Sequence, residues 1–178
     1  MELKSQLMTT EEIRRAMKRI AHQIEEKNGG TDNLILIGIA KGGVALAYAL
    51  SSYMRDIHNC QIPTGIIDIS EHRDDKKVSL NEAAGLGTNI PCDIKDKNVV
   101  LVDDVLYTGR TVRAALDALS EMGRASSVQL AVLIDRGHRE LPIHADYVGK
   151  NIPTSRKEVV KVIFDENHDN PIVNIYDL

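Results

Sequence analysis

Two carboxylates, Asp103 and Asp104, stand together where an apolar run, Val99, Val100, Leu101 and Val102, stops. Four aliphatic residues in a row suit a strand covered on both faces, and a carboxylate ending such a strand is costly unless a ligand, a hydrogen bond or water receives it. In an open parallel sheet, ligands gather at the carboxyl ends of the strands. Two acceptors there suit two neighbouring hydroxyls, such as the 2′,3′-diol of a ribose. Beyond Val105, Leu106 and Tyr107, the residues Thr108, Gly109, Arg110 and Thr111 lead into a helical pattern. Successive backbone N–H groups, a helix N-terminus and two hydroxyls make a cradle for phosphate, with Gly109 letting the backbone come close. Diol and phosphate about one sugar apart describe a 5-phosphorylated ribose. The spacing is neither G-x-x-x-x-G-K-[ST] nor G-x-G-x-x-G.

The elements that must position these residues can be read from periodicity. Thr9 or Thr10 caps a first helix, with Glu11 and Glu12 in its first turn, Ile13, Met17, Ile20 and Ile24 as its buried stripe and Gly29-Gly30 as its stop. Apolar strands are expected at 33–40, 62–70, 98–104 and 127–135, and shorter ones at 145–149, 159–164 and 172–176. Lys41-Gly42-Gly43 turns the chain into a small-residue helix over 44–54. A further helix over 110–123 presents Val112, Ala115, Leu116 and Leu119. Near-continuous aliphatic strands alternating with helices predict an α/β fold, a mostly parallel twisted sheet flanked by helices. Residues 71–97 are polar and weakly periodic, which suits a lid loop over about 71–91, or else a polar edge hairpin.

Composition bounds the rest. The 178 residues fit one domain spanning 1–178, and one Phe with no Trp makes the core aliphatic. A net charge of −4 gives no global attraction to nucleic acid or anionic lipid. No run of ~18 apolar residues occurs, and the N-terminus lacks a secretory apolar region. Cys60 and Cys92 have no metal or redox spacing, so a cytoplasmic protein with no membrane contact is expected. Charge is nevertheless patterned. Arg15, Lys18, Arg19 and His22 share the helix face opposite the apolar stripe, and His138, Arg139 and Lys150 could extend it. Such a face can grip RNA phosphates, although a solvated helix surface is the commoner meaning of such charges.

The string from Val99 to Thr111 resembles the phosphoribosyl-pyrophosphate motif of type I phosphoribosyltransferases. Together with "AVLIDRGHRELPIHADYVGKNIPTS" (131–155), it is similar to one branch of them, the bifunctional pyrimidine operon regulators and uracil phosphoribosyltransferases. The resemblance implies the type I fold, with a small hood built from about 138–155 and the C-terminal strands, and a flexible lid. It implies transfer of phosphoribose from 5-phosphoribosyl pyrophosphate to uracil, giving UMP and pyrophosphate, with Mg²⁺. On that likeness, Asp103 and Asp104 hold the ribose diol, directly or through Mg²⁺. Thr108 to Thr111 hold the 5′-phosphate. Lys41 and Gly42 meet the pyrophosphate, with Arg73 arriving from the lid as a second, catalytic cation. The base lies among Tyr107, Asp135, Arg136, Tyr147 and Val148. Purine enzymes with this motif usually carry Asp at the Tyr107 position to handle a proton on the imidazole ring. Uracil has no such ring, so Tyr107 points to a pyrimidine. The branch also binds pyrimidine-operon leader mRNA, promoted by UMP or UTP, and forms homodimers or larger homo-oligomers.

The chain departs from that branch at three places. It has Lys41-Gly42-Gly43 where Thr-Arg-Gly is usual, His144 where Arg is usual and Lys18 where Thr is usual. Two other functions therefore stand beside the first: an RNA-binding regulator with only vestigial transferase activity, and a purine or xanthine phosphoribosyltransferase.

Overall fold

Every residue of the strand Leu34–Ile39 is buried, and its place explains why. In the computed structural model, which describes residues 1–72, 87–165 and 170–178 (backbone alone at 40 and 41), this strand lies inside a five-stranded sheet. The elements in chain order are β1 (Glu2–Met8), α1 (Thr10–Asn28), β2 (Leu34–Ile39), α2 (Ala40–His58), β3 (Thr64–Ile67), β4 (Asn98–Leu106), α3 (Arg110–Ser120), β5 (Ser127–Asp135), β6 (Tyr147–Asn151), β7 (Glu158–Ile163) and β8 (Ile172–Asp177). The large sheet has the order β3-β2-β4-β5-β6, and every neighbouring pair is parallel. After β2 the chain crosses through α2 to β3 on one side, while β4 lies on the other. The order reverses between β2 and β4, and such a reversal opens a crevice at the strands' carboxyl ends.

Two aliphatic layers sandwich the sheet. One joins Ile13, Met17, Ile20 and Ile24 of α1 and Leu46, Leu50 and Met54 of α2 to Val100 and Val102 of β4. The other joins Val99 and Leu101 to Val112, Ala115 and Leu119 of α3. α1 begins with a capping box, Glu12 N donating to Thr9 Oγ1 at 3.3 Å and Thr9 N to Glu12 Oε2 at 2.8 Å, and ends at Gly29 with φ 66°.

A smaller antiparallel sheet, β1-β8-β7, forms the hood. Its first strand carries no local signal: Glu2–Met8 is charged and mostly exposed, and only pairing with β8 at the far end of the chain makes it a strand. The hood also differs in composition from the expectation, because β6 belongs to the large sheet and residues 136–146 form a loop. Three local readings change as well. Lys41-Gly42-Gly43 lies inside the first turn of α2 rather than before it. β3 is shorter than 62–70. Leu116 is 38 % exposed, while Ala114 and Ala118 fill the face assigned to it. Helix packing here takes small side chains so that α3 can approach the sheet closely.

Of the long polar segment, residues 73–86, including Arg73, lie outside the described residues. Its far end returns antiparallel beside β3, with Ile66 and Asn89 exchanging backbone hydrogen bonds at 2.8 and 2.9 Å and Asp68 N donating to Thr88 Oγ1.

Candidate active site

The crevice between β2 and β4 is where the two acids lie. Successive residues of a strand point to opposite faces, so Asp103 and Asp104 do not form a side-by-side fork. Asp103 is buried, its Oδ1 accepting from Asp104 N at 2.9 Å. Asp104 is half-buried and turns towards the N-terminus of α2, its Oδ1 accepting from Val105 N at 2.7 Å. Desolvation by burial pushes the Asp104 carboxyl above its usual range. Val105 then packs on the α1–α2 layer and Leu106 on the α3 layer, so the alternation slips by one residue after Asp104.

The glycines that start α2 are there because of this approach. A Cβ on Gly42 would sit 2.3 Å from Asp104 Oδ2, and one on Gly43 would sit 2.1 Å from Val102 O. Only residues without a side chain let the helix N-terminus, with its partial positive charge, reach the carboxyl end of β4. Gly42 thus lies against Asp104.

Downstream, Gly109 takes φ 93° as the N-cap of α3 and has no side chain to cap it, while Arg110 N donates to Thr108 Oγ1 at 3.4 Å. The first-turn N–H groups of α3 are presented beside the hydroxyls of Thr108 and Thr111, both part-exposed. Such an arrangement has the donors that a phosphate cradle needs. It is braced from behind by the β5–β6 loop. Glu140 N and Leu141 N donate to Thr108 O at 2.9 and 3.2 Å, and Arg110 Nε donates to Glu140 Oε2 at 2.7 Å.

Tyr107 sits between the acids and the cradle, part-exposed. The Arg136 guanidinium carbon lies 4.1 Å from the centre of its ring, and the His138 ring meets it edge-on at 6.2 Å. Asp135 is close by but engaged: its carboxylate is ion-paired with Arg139 and accepts from Gly137 N. The structure therefore brings Tyr107, Asp135 and Arg136 together. It does not bring Tyr147 and Val148 to them. In register Tyr147 pairs with Ala131 and Val148 with Val132, whereas Asn151 is the β6 residue level with Asp135. Tyr147 is buried in the core, its hydroxyl donating to Gln129 Oε1 at 2.6 Å, and burial pushes that phenol up to about 12. The strand was foreseen, but the number of rungs between its start and the crevice was not readable without the register.

The basic residues divide in a similar way. Arg15, Lys18, Arg19 and His22 are all exposed on α1. Arg19 is partly committed, donating to Val148 O and Gly149 O at 3.3 and 2.6 Å, and so covers the free edge of β6. Lys150 lies on that side, donating to Leu7 O at 2.9 Å. His138 and Arg139 are drawn into the loop around Tyr107 instead. His138 Nε2 pairs with Thr154 O, and Arg139 donates to Tyr107 O at 2.8 Å and Ile143 O at 2.9 Å. Sequence reasoning missed Glu140, Thr154 and Glu158, whose parts depend on contacts made across the β5–β6 loop and the hood.

A twisted parallel sheet whose switch point holds an acid against a helix N-terminus and a phosphate cradle one turn further on defines a sugar-phosphate transferase site. Residues 4–169 match the phosphoribosyl transferase domain model, and the chain belongs to that family. Solved structures agree. A hypoxanthine phosphoribosyltransferase from Staphylococcus aureus superposes with a TM-score of 0.66 at 26 % identity, covering 89 % of this chain and 82 % of that one. One from Trypanosoma cruzi, at 24 % identity and a TM-score of 0.69 over 99 % of this chain and 98 % of that one, shares the fold.

Within the family the likeness narrows to proteins named Bifunctional protein PyrR. The one from Bacillus subtilis is 53 % identical over 99 % of both chains. Those from Deinococcus radiodurans (51 %, over 98 % of this chain and 95 % of that one) and Caldicellulosiruptor bescii (52 %, over 97 % and 96 %) are similar to the same degree.

Proposed function

We propose that this protein transfers phosphoribose from 5-phosphoribosyl pyrophosphate to uracil, giving UMP and pyrophosphate, and that it also binds pyrimidine-operon leader mRNA in response to uridine nucleotides. The observation that carries the first half is Tyr107. An aromatic ring with a guanidinium behind it, between acid and phosphate cradle, offers a flat surface for a base and no carboxylate at this position to take a proton from an imidazole ring. The relatives are named bifunctional, which accords with a second activity beside transfer.

In the reaction the N1–C1 bond forms as the C1–pyrophosphate oxygen bond breaks, N1 losing its proton. Positive character grows on the sugar, and stabilising it is mainly electrostatic work. Asp104 at the ribose is placed for that. The α3 N-terminus with Thr108 to Thr111 holds the 5′-phosphate, and the α2 N-terminus at Lys41 and Gly42 faces the pyrophosphate, with Arg73 as a further cation. Mg²⁺ fits as a companion of the pyrophosphate. Among the described residues no cluster of three or more His, Cys, Asp or Glu could cage an ion, whereas one or two carboxylates plus substrate oxygens are the ordinary surroundings of Mg²⁺. The ion neutralises the leaving charge when bound.

The RNA surface in this reading is the exposed face of α1, with Arg15, Lys18, Arg19 and His22, continued by Lys150. No described helix is long and apolar enough to cross a membrane, and a cytoplasmic homo-oligomer completes the reading. A purine base is the second reading, favoured by Lys41-Gly42-Gly43 and opposed by Tyr107. A filter-binding titration of leader RNA with and without UMP tests the regulatory half. UMP should tighten binding, and an unchanged affinity overturns it.

A further inference from the structure

Arg136 directly follows β5 and is 5 % exposed. A buried guanidinium normally needs a carboxylate, yet its hydrogen bonds run to neutral oxygens. Nε donates to Thr154 Oγ1 at 3.1 Å, and Nη2 to Ser155 O at 3.0 Å and Glu158 O at 2.7 Å. The Glu158 carboxylate itself is engaged elsewhere, by Lys4 and Ser155 N. Three carbonyl and hydroxyl acceptors fix the planar fork from one side, and the Tyr107 ring covers its face at 4.1 Å. A planar cation stacked on an aromatic face is an arrangement that lysine does not reproduce.

The acceptors come from the segment that leads into β7 of the hood, while Tyr107 belongs to the loop between the acids and the phosphate cradle. Arg136 therefore joins two parts of the molecule that the backbone does not join locally. Its partners hold the guanidinium in place, 4.1 Å from the centre of the ring.

We infer that Arg136 is a positioning residue for base selection: tied to the hood segment 154–158 on one side, it backs the Tyr107 ring on the other, so that the ring offers a fixed surface to a one-ring base. The inference rests on the pyrimidine reading above. Arg136 itself is buried, with the ring and the hood segment as its partners. Its contribution must pass through Tyr107, and the test follows from this.

The test measures equilibrium binding of UMP and of ribose 5-phosphate to the full chain. The second ligand fills the phosphate and sugar subsites alone and reports an intact site. Arg136→Lys keeps a cation but loses the fork and the stack. It should weaken UMP about tenfold, the size of one such contact, and leave ribose 5-phosphate within about twofold. In a Tyr107→Leu background the same change should alter UMP binding by less than about twofold, because the ring it acts through is gone. Equal weakening of both ligands would mean a purely structural role and overturns the inference. So does a tenfold loss of UMP that persists without the Tyr107 ring. A parent protein that binds UMP no more tightly than ribose 5-phosphate is a different result, refuting the pyrimidine reading and this inference with it.

Discussion

Replacing Gly42 or Gly43 by alanine adds one methyl group to the same helical turn, and the structure predicts two different failures. At Gly42 the new Cβ meets Asp104 Oδ2 at 2.3 Å and Asp104 Cγ at 2.6 Å. These are side-chain atoms that can swing away. Alanine for glycine within a helix gains about 1 kcal/mol, and an off-rotamer aspartate costs about 0.5–1.5 kcal/mol, so stability should barely change. What is lost is the position of the carboxylate. A displaced electrostatic group at a transition state costs about 100-fold or more in turnover, on the order of 2.7 kcal/mol. At Gly43 the methyl group meets Val102 O at 2.1 Å and Asp103 Cα at 3.2 Å. That obstacle is the backbone of a central strand, which cannot step aside. Overpacking of this kind costs about 1–3 kcal/mol. Set against the same helical gain, that leaves a net loss of about 1 kcal/mol, which lowers Tm by about 2–4 °C in a chain of this size. The assays are UMP formation from 5-phosphoribosyl pyrophosphate and uracil, and thermal melting of both variants. Gly42→Ala should melt like the parent and be nearly inactive, whereas Gly43→Ala should melt early. Parental turnover by Gly42→Ala would refute the placement of Asp104 at the reacting sugar.

Four further outcomes are expected. Asp104→Asn should abolish most transferase activity and raise Tm at neutral pH. Burial holds this carboxyl above its unfolded value, so its cost to the fold is present above the folded pKa and relieved as pH falls through it; the stability gain of the variant should therefore vanish in acid, read by melting at several pH values. One of the five tyrosines should ionise late in an ultraviolet titration and disappear in Tyr147→Phe. Its phenol is raised to about 12, so the stability it contributes is full below an unfolded value of about 10 and lost as pH rises through about 12. Arg15→Ala should weaken leader-RNA binding and reduce the salt slope by about 0.7–0.9 without touching uracil turnover. Arg19→Ala should do the same and also lower Tm by a few degrees, since it bonds Val148 O and Gly149 O at the β6 edge.

What was legible in the chain was whatever local chemistry dictates. The α1 stripe and caps, the aliphatic strands, the acid turn and the phosphate cradle each follow from neighbours within a few residues. The misplacements share a cause. Glu2–Met8 looks like a polar tail because its partner, β8, is at the other end of the chain. The resemblance assigns Tyr147 and Val148 to the base, but register with β5 puts them rungs below the crevice. Asp103 and Asp104 read as a pair on paper, and the pleat separates them. Lys41-Gly42-Gly43 read as a departure in a ligand loop, whereas Gly42 and Gly43 are there for clearance against β4. Arg136 is expected to border the base, but its three oxygens and its ring are contributed by segments on either side of it in the fold.

The central claim is that this site joins phosphoribose to a pyrimidine. Its most direct test is a steady-state comparison of uracil with hypoxanthine, guanine and xanthine as acceptors, at fixed 5-phosphoribosyl pyrophosphate and Mg²⁺, with the nucleotide product identified. The account predicts UMP, with kcat/KM for uracil at least about 100-fold above any purine, the scale on which a site rejects a base whose polar edge it does not match. Turnover of a purine with none of uracil would contradict it.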